Sequence, residues 1–122
     1  MVDKKKMVEK MLKDYPINVV IIKNIDLDIE DINCSASPDL KELERINHIK
    51  KQKQFEVKKV NNILSGLTDR ELKIIQMKYF NRISYKDIAM EMDLSMGYVM
   101  QIKSNIIKEL VGIVFRREDY KI

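Results

Sequence analysis

From Asp39 to Ser65 the chain contains no residue that breaks a helix, and this stretch constrains the fold more than any other. It predicts one helix over residues 38–64, about 40 Å long at ~1.5 Å per residue. Ser37 offers a good N-cap and Pro38 suits the first helical position, where its missing N–H costs nothing. Gly66 stands where a C′ residue would end the helix. The whole chain shares this character: 122 residues include three glycines, two prolines and no tryptophan. An all-α protein is expected.

Composition bounds the rest loosely. The chain is 45% hydrophobic and 34% charged, which predicts a packed core under a well-solvated surface. The formal net charge is +4, and the halves before and after Gly66 carry 13 basic against 11 acidic and 10 against 8 residues. Each half is therefore +2, so charge does not say which half meets a polyanion. Cys34 is the one cysteine and has no internal partner, which suits a reducing cytoplasm. The longest apolar stretch, Val19 to Ile22, is far short of the ~20 residues that span a bilayer. Nothing near the first residue resembles a secretory signal. A soluble cytoplasmic protein without membrane contact is expected.

The first 66 residues read as a helical arm. Residues 3–14 suit a short helix with Met7, Met11 and Leu12 on one side, ended by Tyr15-Pro16. Residues 17–33 are ambiguous: Ile21, Ile22, Ile25, Ile29 and Ile32 follow a helical stripe, whereas Ile25, Leu27 and Ile29 alternate as in a strand. With no partner strand nearby, helix is the expectation. In the long helix, Leu40, Leu43, Ile46 and Ile49 line the first half and Val57, Val60, Ile63 and Leu64 the second. These helices suit either an antiparallel hairpin or a dimerisation element.

Residues 67–122 form the second expected unit, and capping signals divide it. Thr68-Asp-Arg-Glu71 is a capping box. Ser84-Tyr-Lys-Asp87 repeats it with Asp in place of Glu, and Ser95 caps a third helix. Helices are thus predicted over about 69–80, 85–92 and 96–115. The last two fit a helix-turn-helix, in which two helices cross steeply across a short turn. That crossing needs a small residue at the contact, supplied by Ala89. It needs an apolar wedge, supplied by Ile88, Met92, Leu94, Val99 and Ile102. Asp93 holds the turn position, which calls for positive φ. A plain pair of packed helices is the competing reading.

These residues also resemble known families. Leu67-Thr-Asp-Arg-Glu71, Ile74-Ile75, Tyr79, Ser84-Tyr85 and Ile88-Ala89 are similar to region four, the promoter-reading domain of bacterial sigma factors. Leu94-Ser95, Tyr98-Val99, Ile102-Lys103 and Ile107-Lys108-Glu109-Leu110 resemble sigma-like ArpU/RinA-type phage regulators of late transcription. The resemblance covers about residues 67–111 and implies a sigma-like activator of transcription with RNA polymerase as a further partner. The chain departs from the pattern in two ways. Recognition helices of these families are rich in Arg and Lys, whereas this one presents Met96, Gly97, Tyr98, Met100 and Gln101 before its first Lys. Asp93 replaces the usual Gly. Nothing matches the core-polymerase-binding helices of a full sigma factor, which favours an accessory role.

If double-stranded DNA is the partner, base contacts come from the first part of the last helix. Its outer face carries Met96, Gly97, Met100, Gln101 and Ser104. Gln101 is the best direct reader, because its amide can pair with adenine through two hydrogen bonds. Ser84, Tyr85, Lys86, Lys103 and Lys108 are candidates for phosphate contacts, which set register. A homodimer on two half-sites would strengthen a module with few cations.

Other residues carry blander readings. The eight methionines suit core filling. His48 has no Cys or His at ligand spacing, and Asp26, Asp28, Glu30 and Asp31 lack the glycine and terminal glutamate of a calcium loop, so neither metal nor cofactor is expected. Lys4-Lys5-Lys6 and Lys50-Lys51-Gln52-Lys53 suit solvated faces. No nucleophile–base pairing or phosphate-binding glycine loop is visible, so an enzyme is not expected. Three classes remain: a DNA-binding transcriptional regulator of phage or mobile-element type; an interaction module that keeps the sigma-like fold but binds polymerase or another regulator; and a structural helical protein.

Overall fold

Pro16 does not end a helix. In the computed structural model, which describes residues 3–116, α1 runs unbroken over Lys4–Asn33 with Pro16 inside it. An interior proline removes one backbone hydrogen bond and costs roughly 3 kcal/mol. Burial outweighs that cost here, because Val8, Leu12, Asn18 and Ile25 keep to one buried side across the proline. The ambiguity over residues 17–33 resolves as helix. At the start of α1, Asp3 accepts from the Lys6 N–H at 3.2 Å.

The second helix, α2, covers Leu40–Leu64 and starts two residues later than Pro38. Its N-cap is Asp39, whose Oδ1 accepts from the Lys41 and Glu42 amides at 3.1 Å each. Ser37 is not the cap: the Asp39 side chain meets the first helical amides instead, and its carboxylate also complements the positive end of the helix. Gly66 likewise does not act as a left-handed C′ residue, since no glycine has positive φ among the described residues. The helix instead unwinds through short three-residue turns, Ser65 N–H to Asn62 O and Leu67 N–H to Leu64 O.

Together α1 and α2 form an antiparallel hairpin. Tyr15 Oη donates to Asn61 Oδ1 at 2.7 Å, Asn18 Nδ2 to Glu56 Oε2 at 2.9 Å, and Lys50 Nζ meets Asp26 Oδ1 at 2.5 Å. Partners fall along α2 as they rise along α1. Asn18 is buried, so its bond to Glu56 removes the penalty of an unmet amide. Ile17, Val20 and Leu27 remain exposed.

Three further helices follow. α3 spans Asp69–Ile75 and continues into a π-helical turn over Gln76–Phe80; α4 spans Tyr85–Met92 and α5 spans Met96–Val114. The Thr68 capping box forms in full: Thr68 Oγ1 accepts from Glu71 N–H, and Glu71 Oε1 accepts from Thr68 N–H. The π turn was not foreseen; its wider loop closes with Asn81 N–H on Gln76 O at 2.9 Å. Only half of the second expected box forms, with Ser84 Oγ accepting from Asp87 N–H. Asp87 gives no return bond among the described residues, and its side chain is a methylene shorter than that of Glu.

Two apolar clusters hold these parts. The first joins Val8 and Leu12 of α1, Val60, Ile63 and Leu64 of α2, Ile75 and Tyr79, and Ile106, Ile107 and Leu110 of α5. It draws on both sides of Gly66. The second joins Ile74, Met77, Ile88, Ala89 and Val99. Among the described residues no helix is long and apolar enough to cross a membrane.

Candidate nucleic-acid interface

The second cluster is the core of a helix-turn-helix. Ile88, Ala89 and Val99 are buried in it, and Met92, Leu94 and Ile102 pack against it half-buried. Every residue of the expected wedge takes its place, with Ala89 at the crossing. Asp93 adopts the left-handed conformation, φ 55 and ψ 47, so the turn keeps its geometry without glycine. Leu94 N–H reaches back to Ala89 O at 2.9 Å. Ser95 then caps α5 by accepting from Tyr98 N–H at 3.2 Å.

The two halves of α5 have different duties. Ile106, Ile107 and Leu110 lock its second half into the first cluster. Its first half turns Met96, Gly97, Met100, Gln101 and Ser104 outward, and all five are exposed. The arm does not cover this surface. Met96 and Met100 are 51% and 44% exposed, and Met7 and Met90 are exposed as well, so the methionines do not all fill the core as expected. At Gly97 a side-chain carbon would meet nothing within 4 Å, so no contact inside the protein requires a glycine there.

The expected phosphate residues fall in two places. Ser84, Tyr85 and Lys86 gather at the N-terminus of α4, and Lys103 reaches the same spot, its ammonium 6.0 Å from the Tyr85 ring. Tyr85 itself is half-buried and packs against the second cluster. Lys108 stands apart, exposed two turns beyond Gln101 on α5. Asp87, also exposed, and Glu91, 3.9 Å from Lys73, are the nearby carboxylates on α4.

Three cations at this surface were missed from sequence. Lys78 places its ammonium 4.0 Å over the Tyr85 ring, so two lysines share one aromatic ring. Arg82 occupies the left-handed region at φ 54, in the turn that leads into α4. Arg70 lies 5.1 Å from the ring of Tyr98, which is 45% exposed on the first turn of α5. Of the three, only Arg82, in the turn before Ser84, gave a signal, and it was overshadowed by the caps. Among the described residues, no group of three or more His, Cys, Asp and Glu side chains is placed to hold a metal ion.

A capped, wedge-packed helix pair that leaves its second helix exposed at the N-terminal end defines a helix-turn-helix of the kind that DNA-binding regulators use. More narrowly, residues 63–110 match the family model described as sigma-70, region 4. The C-terminal part of this chain is a sigma-region-four-like helix-turn-helix, as the resemblance implied. No curated protein and no solved structure matches the chain.

Proposed function

We propose that this protein is a DNA-binding transcriptional regulator of sigma-like, phage or mobile-element type. It is cytoplasmic and has no enzymatic activity. It lays the first half of α5 in the major groove, with Gln101 reading a base and Met96, Gly97, Met100 and Ser104 lining the contact. Ser84, Tyr85, Lys86, Lys103 and Lys108 hold the flanking phosphates. One observation carries this reading: Val99 and Ile102 anchor the first half of α5 in the second cluster while Met96, Gly97, Met100, Gln101 and Ser104 stay exposed on the face that a helix-turn-helix presents to DNA. Two copies on paired half-sites would supply the affinity that one module with so few cations lacks.

Selection of bound sites from a random duplex pool, followed by anisotropy titration, tests it. Gln101→Ala is expected to cost about 1–3 kcal/mol on the selected site and to relax one base position. Unchanged affinity for every duplex would refute the face assignment. Palindromic selected sites, together with a doubled mass in solution, would support the dimer.

One observation favours a second reading. The exposed face of α5 is apolar at Met96, Tyr98 and Met100 and has no arginine, which also suits docking on RNA polymerase or another regulator. Capture of polymerase by a variant that binds no duplex would favour that module.

A further inference from the structure

Beside the helix-turn-helix, a cleft opens between α1 and the turn that joins the π-helical segment to α4. Lys13 and Glu9 line it from α1, Lys78 from the π-helical segment, and Arg82 and Ser84 from the turn. We propose that this cleft binds a phosphate of the DNA backbone outside the major-groove site, so that the arm lengthens the footprint on the duplex. The inference rests on the DNA-binding reading and adds to it a contact made by α1.

Charge and geometry support it. Three cations from α1, the π-helical segment and the turn converge with one carboxylate among them. That carboxylate is engaged, because Glu9 Oε2 accepts from Tyr79 Oη at 2.8 Å. The next carboxylate along α1, Asp14, is held by Lys10 at 2.6 Å. Lys13 and Arg82 are both exposed. Lys78 stands over the Tyr85 ring, which fixes its ammonium at the edge of the cleft. A guanidinium offers paired N–H donors that match phosphate oxygens, while lysines act as mobile point charges beside it. Arg82 also holds a positive-φ backbone conformation, which is costly for a residue other than glycine, and it lines the cleft from that turn. The Ser84 cap adjoins the cleft and begins α4. The cleft therefore continues the row of phosphate candidates Ser84, Tyr85 and Lys86 toward α1. Lys6 lies on α1 beside Lys13 and adds one further cation to this side of the arm, Lys10 being paired with Asp14.

The test is a salt series by fluorescence anisotropy on a duplex several helical turns long. Each lost phosphate contact lowers the slope of log affinity against log salt by about 0.9. The double variant Lys13→Ala/Arg82→Ala is expected to lower the slope by roughly two, equally on all sequences. Arg82→Lys in the Lys13→Ala background is expected to restore about half of that loss. A charge-matched control, Lys51→Ala/Lys58→Ala on exposed positions of α2, should keep the wild-type slope. A wild-type slope in the Lys13/Arg82 double variant, while Lys86→Ala still lowers it, would overturn the cleft and leave the helix-turn-helix reading standing. So would a cleft that answers only to inorganic phosphate, seen as shifts of the Arg82 side-chain NMR signal with DNA affinity untouched. No binding of wild type to any duplex would overturn both.

Discussion

The first apolar cluster makes a strong thermodynamic prediction, because it takes residues from both sides of Gly66. Leu12 is fully buried against residues of α2, the π-helical turn and α5. Replacing a buried leucine by alanine removes the transfer energy of its lost groups and leaves a cavity, together costing about 2–5 kcal/mol. The unfolding entropy near the midpoint is roughly 2.1 cal/mol/K per residue, or about 0.25 kcal/mol/K for a chain of this length. A central cost of ~3 kcal/mol then lowers Tm by about 12 °C. If the arm and the helix-turn-helix share one core, the whole helical signal falls in a single step, followed by far-UV circular dichroism. Hydrogen exchange at the Ile106, Ile107 and Leu110 amides, distant in sequence from the mutation, should accelerate in proportion. Leu27→Ala is the control: the side chain is 63% exposed, and its removal should shift stability by no more than ~0.5 kcal/mol. A two-step melt in which Leu12→Ala displaces one step alone, with α5 exchange unchanged, would refute the shared core.

Two further substitutions probe separate claims. Gly97→Ala should raise stability by about 0.5–1 kcal/mol, because the site is helical and has open space, yet weaken DNA binding where the backbone approaches the groove; Gly112→Ala, equally open, should give the same gain in Tm without the binding loss. Burial pushes the Tyr79 phenol above its ordinary range, and its hydrogen bond to the Glu9 carboxylate adds to the shift. A folded-state pKa raised in this way contributes stability that is complete below the unfolded value of ~10 and is lost as pH rises above it. Wild type should therefore lose about 1.4 kcal/mol per pH unit above pH ~10 relative to Tyr79→Phe, measured by denaturant titration across that range.

What the sequence disclosed and what it hid divide along a physical line. Caps and wedge were legible because they are local: Thr68, Ser84 and Ser95 each act on a backbone amide three residues on. The apolar periodicity of Ile88, Met92, Val99 and Ile102 follows from the helix alone. Pro16 was misread because its penalty is local whereas the compensation is not; burial of Val8 and Leu12 against α2 and α5 cannot be weighed until the chain folds back. Gly66 was misread for a related reason. A glycine permits a left-handed cap but does not compel one, and here the following Leu67 is carried on by a tight turn. The basic cleft was invisible because Lys13 lies far from Lys78 and Arg82 in sequence and meets them only once α1 packs on the π-helical turn, through the Glu9–Tyr79 bond, the Tyr15–Phe80 stack and the shared core.

The chemistry of the exposed half of α5 sets a limit on what one copy can accomplish in the proposed role. A bidentate glutamine discriminates one base by about 1–3 kcal/mol, and the methionines beside it add contact area with little choice between bases. A genome offers about 10⁶ or more competing sites, which a regulator must overcome by roughly 8 kcal/mol at ~1.4 kcal/mol per tenfold. Lys78, Arg82, Lys86, Lys103 and Lys108 add attraction to any duplex and so raise the competing binding equally. Selectivity on this reading must therefore be shared, either between two recognition helices or between this helix and a partner already held at the promoter. An isolated monomer that proved both tight and selective would contradict that reasoning, because nothing on the outer face of α5 can supply the difference.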